Sequence, residues 1–263
     1  MKANLSKINK RYIGSLVIVP IIISLILGGW VLKLILFSIT TISIVEFSNA
    51  LKHKNKNINI NKYLIIIFTI IYYIVGFKYL NILTFLTFVL LLFYTLNKNN
   101  NIVDVSLSFI SIFYIVIPFS FIFLLHEKNT YLPWIIFLSA WSTDTMAYFI
   151  GKNFGKYKIS KYISPNKTLE GFIGGVVSCV VVILIYGSLF KVQLNLSVIS
   201  LILLSVLTGI IGQIGDLIAS SIKRFTKLKD FGNLIPGHGG ILDRFDSILM
   251  ISIVVFIFSQ IFI

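Results

Sequence analysis

"IFTIIYYIVGF", Ile67–Phe77, carries no charge and shows no strict alternation of apolar and polar residues. A barrel strand crossing a bilayer alternates over about ten residues. A continuous apolar run instead reads as a helix that satisfies its own backbone polar groups. The rest of the chain repeats the pattern. Of its 263 residues, 57% are hydrophobic and only 12% charged, with a mean hydropathy of +0.96. Runs of roughly 20 apolar residues are long enough to cross a hydrocarbon layer about 30 Å thick. The sequence therefore predicts an all-α integral membrane protein with about nine transmembrane helices, over 12–30, 31–50, 61–78, 80–96, 104–125, 131–150, 169–190, 197–220 and 241–262.

Loop charge predicts the orientation, because cytoplasmic loops are enriched in Lys and Arg. Lys2, Lys7, Lys10 and Arg11 precede the first run, and Lys52, Lys54, Lys56 and Lys62 follow the second. Lys98 follows the fourth, Lys152, Lys156, Lys158, Lys161 and Lys167 follow the sixth, and Lys223, Arg224, Lys227 and Lys229 follow the eighth. The opposite loops hold only Lys78, Lys128 and Lys191. The expected N-terminus is cytoplasmic, the C-terminus lies outside, and a polar cavity opens to the cytoplasm. The net charge of +14 then reflects these loops and contact with anionic lipid or nucleotide phosphates, not nucleic acid. Cys179 is the only cysteine, so no intrachain disulfide can form and a metal–thiolate site is not expected. The first apolar run is followed at once by another and lacks a small-residue cleavage site, so no cleavable signal peptide is expected. The Asn- and Lys-rich "HKNKNININK", His53–Lys62, is expected to be loop filler. The organisation expected is N-terminal transmembrane helices over 1–125 and a catalytic transmembrane region over 126–263.

Only nine residues are acidic. Six of them, Asp144, Glu170, Asp216, Asp230, Asp243 and Asp246, fall in two stretches. A carboxylate within a span costs roughly 2.5–3.5 kcal/mol at mid-membrane and less near the interface, so this gathering calls for a site. In "DTMAYFIGKNFGKYKISKYISPNKTLEGFIGG", Asp144–Gly175, Ser164 or Pro165 is expected to mark a turn. Lys167, Thr168 and nearby backbone N–H groups would then sit at a helix N-terminus, which favours phosphate, and Glu170 suits the first helical turn. The lysines of this stretch also satisfy the orientation rule by themselves. In "GQIGDLIASSIKR", Gly212–Arg224, the residues Asp216, Ser220 and Lys223, and Lys227 beyond the quoted run, follow one helical stripe. Asp243 and Asp246 share a face three residues apart, and Asp216 and Asp243 are expected to face each other near the interface.

Facing carboxylates repel unless a cation joins them, and hard oxygen ligands favour Mg²⁺, which takes its remaining ligands from water and substrate phosphate. Lys223 and Arg224 would neutralise phosphate oxygens, the arginine with two parallel bonds. In "NLIPGHGGILDR", Asn233–Arg244, Pro236 sets a turn, and Gly237, Gly239 and Gly240 can adopt positive φ and leave N–H groups open to an anion. His238 could be a phosphate donor, a general acid or a loop hydrogen-bonder.

The run from Ser220 through Ile222-Lys223-Arg224, Lys229-Asp230, Gly232, Ile235-Pro236, His238-Gly239-Gly240-Ile241, Asp243-Arg244 and Asp246 resembles the signature of the phosphatidate cytidylyltransferase (CDP-diacylglycerol synthase) family. "GDL" at Gly215–Leu217 and "SPNKTLEG" at Ser164–Gly171 are similar to that family too, so the likeness covers the C-terminal half. It implies the reaction CTP + phosphatidate → CDP-diacylglycerol + pyrophosphate, dependence on one or two Mg²⁺ ions with help from a monovalent cation such as K⁺, a bacterial inner-membrane location and a homodimer among membrane lipids. It implies Asp216 and Asp243 as metal ligands, with Asp246, Lys223 and Arg224 completing the catalytic group. Substrate contacts are implied for Asp144, Ser164, Lys167, Thr168, Glu170, Ser220, Lys229, His238, Gly239, Gly240 and Arg244. The sequence departs from the pattern at Asn166, Leu169, Ala219 and Phe225, none of them a proposed ligand. A CTP-using polyprenol kinase, which moves the γ-phosphate, and a transporter with acids lining a pathway remain the rival readings.

Overall fold

The computed structural model describes residues 18–75, 79–97, 100–160, 162–235, 237 and 239–263. In chain order the helices are α1 (Ile18–Leu27), α2 (Gly29–Lys54), α3 (Lys62–Val75), α4 (Leu80–Tyr94), α5 (Ile102–Lys128), α6 (Leu132–Phe154), α7 (Leu169–Leu189), the short α8 (Lys191–Leu194), α9 (Val198–Phe225) and α10 (Leu242–Phe262). Among the described residues, α2, α5, α7, α9 and α10 are long and apolar enough to cross a membrane, while α3 and α4 are apolar but shorter. The chain is an all-α membrane protein with one addition that the apolar pattern did not signal. Strands β1 (Lys158–Ser160) and β2 (Ser164–Thr168) form a small antiparallel hairpin between α6 and α7.

The described residues pack into two compact units: those up to Ser120 together with Phe225–Arg244, and Phe121–Arg224 together with Phe245–Ile263. The signature run is therefore shared between the units, Ser220 to Arg224 and Asp246 falling in one and the residues between them in the other.

In the first unit, Gly28 (φ 63°) and Gly29 (φ 51°) break α1 from α2, a bend through the left-handed region that side chains other than glycine resist. α2 buries Leu32, Leu36, Ile39, Ser43, Phe47 and Ala50, a stripe at helical spacing. The core they join includes the fully buried Tyr72, Ile112, Ile115 and Phe119. A π-helical segment, Ile112–Val116, interrupts α5 just before Pro118, whose missing N–H and ring disrupt the regular ladder. The Asn-rich connection is more than filler. Asn61 accepts from Leu64 N at 3.1 Å to start α3, and Asn59 N donates to the fully buried Asp104 Oδ1 at 2.8 Å. Asn101 and Asp104 exchange side-chain-to-backbone bonds in a capping box at the start of α5.

In the second unit, α6 and α7 approach closely through glycines. A Cβ on Gly171 would lie 2.6 Å from the Ala147 carbonyl oxygen. Small residues allow such contact in a membrane, where close packing and not apolar burial joins helices. Ser139 Oγ donates to Thr208 Oγ1 at 3.0 Å between α6 and α9, and Phe121 stacks on Phe256 at 3.9 Å. The opposite face of α7 presents Ile173, Val177, Val181 and Ile185, each exposed, in the four-residue rhythm of a lipid-facing stripe.

Candidate active site

The second unit gathers the charged groups expected from α6, the hairpin and α9. Lys167 Nζ lies 2.7 Å from Asp216 Oδ2, both side chains part-exposed, and it also donates to the Gln213 carbonyl at 3.2 Å. Ser220 Oγ donates to Asp216 Oδ1 at 3.4 Å, which bears out the first step of the helical stripe. The stripe ends sooner than its spacing suggested, because α9 stops at Phe225 and Lys227 takes φ 58°. Lys223 Nζ stands 4.0 Å from Asp246 Oδ2. Asp246 has Asp216, Lys223 and Asp144 as its charged neighbours. A cavity of about 240 Å³ is lined by Asp144, Lys167, Thr168, Gln213 and Asp216, with Tyr148 and Phe172 among its apolar walls.

The hairpin explains how Lys167 reaches this cavity. The turn lies at Tyr162 and Ile163, not at Ser164 or Pro165, and Ser164 opens β2 opposite Ser160. Lys167 is thus a strand residue, not part of the helix N-terminus. Thr168 ends the strand, is buried, and caps α7 by accepting from Gly171 N at 3.2 Å. Glu170 turns back onto the hairpin and accepts from Tyr157 N at 3.2 Å. Arg224 Nε donates to the Ile163 carbonyl at 3.3 Å, so its guanidinium braces the turn. Gln213, which no motif singled out, holds α9 to α7 by donating to the Phe172 carbonyl at 3.1 Å.

The loop after α9 belongs to the first unit. Asp243 Oδ2 accepts from Phe231 N at 2.8 Å and from Gly240 N at 2.9 Å, so this carboxylate ties the loop to the start of α10. A second tie comes from α2. Glu46 Oε1 accepts from Ile241 N at 3.0 Å and Oε2 from Leu242 N at 2.8 Å. The acid is buried, and its only sequence signal was the oddity of a carboxylate in an apolar run. Lys229, Asp230, Asn233, Gly237, Gly239 and Arg244 line a polar cavity of about 510 Å³. Gly237 (φ 79°) and Gly239 (φ 83°) have the expected positive φ. His238 and Pro236 lie outside the described residues.

The carboxylates gathered here are hard oxygen donors, the type that Mg²⁺ takes. Asp144 and Asp216 are each in electrostatic reach of Asp246, and Lys167 and Lys223 stand beside Asp216 and Asp246. Among the described residues, no three acidic, His or Cys side chains converge into a complete cage. Mg²⁺ does not need one, since it usually takes one or two carboxylates and fills its octahedron with water and phosphate.

The model of the cytidylyltransferase family matches residues 9–262. The chain belongs to this cytidylyltransferase family. It is 40% identical over 167 residues to a phosphatidate cytidylyltransferase of Staphylococcus haemolyticus, covering 63% of this chain and 64% of that protein. It is likewise 40% identical over 167 residues to one of Staphylococcus aureus, with the same coverage. A phosphatidate cytidylyltransferase of Bacillus subtilis is 41% identical over 170 residues, or 62% of this chain and 61% of that protein. The aligned part thus spans just under two thirds of these relatives.

Proposed function

We propose that this chain is a membrane nucleotidyltransferase that converts CTP and phosphatidate to CDP-diacylglycerol and pyrophosphate. The observation that carries the reading is the Lys167–Asp216 pair, set beside Asp246 and Lys223 in a chain whose family and relatives are cytidylyltransferases. A transporter pathway gives no account of that family match.

The lipid phosphomonoester lies at headgroup depth with its acyl chains among the helices, and CTP enters from the cytoplasm. A phosphate oxygen of phosphatidate forms a bond to the α-phosphorus of CTP in line as the bond to the β-phosphate bridging oxygen breaks, and pyrophosphate leaves with that electron pair. The attacking phosphate is already ionised, so no general base is required. Lys167 and Lys223 exchange their carboxylate partners for phosphate oxygens and spread the developing charge. Arg224 holds the hairpin turn that carries Lys167 and offers its remaining N–H groups to phosphate, while Lys229 and Arg244 receive phosphate at the loop. Ser164, Thr168 and Glu170 shape the hairpin around the substrate, and Ser220 orients Asp216. The proposed metal ligands are Asp216 and, by the family resemblance, Asp243, with Asp246 in support and Asp144 facing a second ion or the cytidine. When bound, Mg²⁺ polarises phosphate oxygens and offsets charge on the leaving group; K⁺ is the proposed companion. The same reading includes nine crossings, a cytoplasmic N-terminus and active site, a bacterial inner membrane and a homodimer.

The test uses purified protein in detergent with phosphatidate, Mg²⁺ and CTP labelled at the α-phosphate. Label is expected in the lipid fraction and is lost with EDTA. No label in lipid while CTP is turned over to CDP would replace this reading with a lipid kinase.

A further inference from the structure

The loop that carries the family signature is held from outside as well as by its own Asp243. The C-terminal half of α2 runs against it. Phe47 and Phe231 rings lie 6.4 Å apart, His53 Nδ1 sits 3.2 Å from the Thr226 carbonyl oxygen, and Lys54 Nζ lies 5.2 Å from the centre of the Phe225 ring. Glu46 is the polar centre of this contact, one carboxylate oxygen for each of Ile241 N and Leu242 N. The loop is also cut to receive it. A Cβ on Gly240 would lie 2.4 Å from Glu46 Oε1, and one on Gly232 would lie 2.5 Å from it. The two glycines leave room for a carboxylate that a larger residue would displace.

A helix N-terminus attracts anions through its unpaired N–H groups and its dipole. At α10 that position is filled from within the chain, by Glu46. A substrate phosphate arriving at this loop is therefore directed away from the start of α10, toward the neighbouring cavity lined by Lys229, Asp230, Gly237, Gly239 and Arg244. Lys229 and Arg244 are exposed, and outnumber Asp230 there. The cavity suits a multiply charged, water-borne phosphate chain better than an apolar tail.

We propose that Glu46 is a positioning residue: it pins the 229–242 loop and occupies the α10 N-terminus, so that the loop's Lys229 and Arg244 present a preformed cradle to the phosphate chain of a nucleoside triphosphate. The nucleotide part rests on the cytidylyltransferase reading; the pinning does not. It gives the N-terminal helices a part in a site whose motif lies wholly in the C-terminal half.

The experiment pairs a protease arm with a kinetic arm on full-length protein in detergent. Glu46→Gln keeps the shape of the side chain but loses its charge and one acceptor. Trypsin cleavage after Lys227 and Lys229, both exposed, is expected to quicken about tenfold in this variant while cleavage elsewhere is unchanged. Gly240→Ala approaches the same contact from the loop side and is expected to act likewise. In the kinetic arm, Glu46→Gln is expected to raise KM for CTP about tenfold with kcat within about threefold of the parent. Wild-type loop cleavage in both variants overturns the proposal. So does cleavage spread through the whole chain in Glu46→Gln, which would make Glu46 a general fold determinant. Quickened loop cleavage with an unchanged KM for CTP overturns the cradle. If the parent transfers no cytidylyl group, the function has failed, and the protease arm still decides the pinning.

Discussion

Asp243→Asn separates two jobs that fall on one carboxylate. In the structure, Asp243 Oδ2 accepts from Phe231 N and Gly240 N at 2.8 and 2.9 Å, and the residue is buried. An amide oxygen can occupy the same place, so neither N–H is orphaned. What is lost is the charge on the acceptor. Bonds to a charged group contribute about 1.5–3 kcal/mol against about 0.5–1.5 for neutral ones, so two such bonds lose roughly 2 kcal/mol. At 1.4 kcal/mol per factor of ten, the loop opens about 30 times more often. Hydrogen–deuterium exchange of the 229–241 segment should quicken by about that factor, with the other segments unchanged. Asp243→Ala instead leaves two buried donors unsatisfied at about 1–3 kcal/mol each, roughly 2–6 kcal/mol in all, and should release the loop outright. The proposed metal role adds a second expectation. Asparagine is a poor substitute for an anionic Mg²⁺ ligand, so cytidylyl transfer by Asp243→Asn should fall by about a thousandfold or more, far beyond what loop opening alone would take. A variant with quickened exchange but close to full activity would refute the metal assignment and leave Asp243 as a loop tie. Unchanged exchange would refute the hydrogen-bonding account.

Lys167→Ala removes a part-exposed ion pair with Asp216, which should alter the thermal midpoint by less than about 1 kcal/mol equivalent. The same variant should lower kcat/KM about a hundredfold through lost phosphate stabilisation; equal effects on both would make the pair structural. Gly171→Ala places a methyl 2.6 Å from the Ala147 carbonyl oxygen, forcing α6 and α7 apart at about 1–3 kcal/mol. A lower thermal midpoint in detergent is expected, and an unchanged one would refute the close glycine contact.

The site shows where reading by pattern stops. Asp216, Ser220 and Lys223 were legible because helical periodicity puts them on one stripe of α9, and Ser220 does bond to Asp216. Lys167 was expected at a helix N-terminus, and its place in a strand was not legible, since β2 is five residues long and begins with a serine and a proline. Glu170, expected to contact substrate, and Arg224, expected in the catalytic group, also bond backbone at the hairpin, because a charged side chain beside a short loop bonds whatever donors or acceptors the loop leaves open. The Asn-rich connection read as filler for the opposite reason: its caps use single side chains and leave no periodic trace.

The amino-acid sequence by itself determined the helices and the family. A bilayer offers no hydrogen bonds to a bare backbone, so each long apolar run has helix as its stable state, and the many fixed positions from Ser220 to Asp246 mark the family without reference to shape. Tertiary structure alone decided which partners each carboxylate takes. Glu46 meets Ile241 and Leu242 from 195 and 196 residues away, and Asp243 turns to its own loop while Asp246, three residues on, has Asp216 and Lys223 for neighbours. Such partners are set by how helices pack, and a buried acid takes the donors that packing brings within about 3 Å, a choice that neither spacing nor composition records.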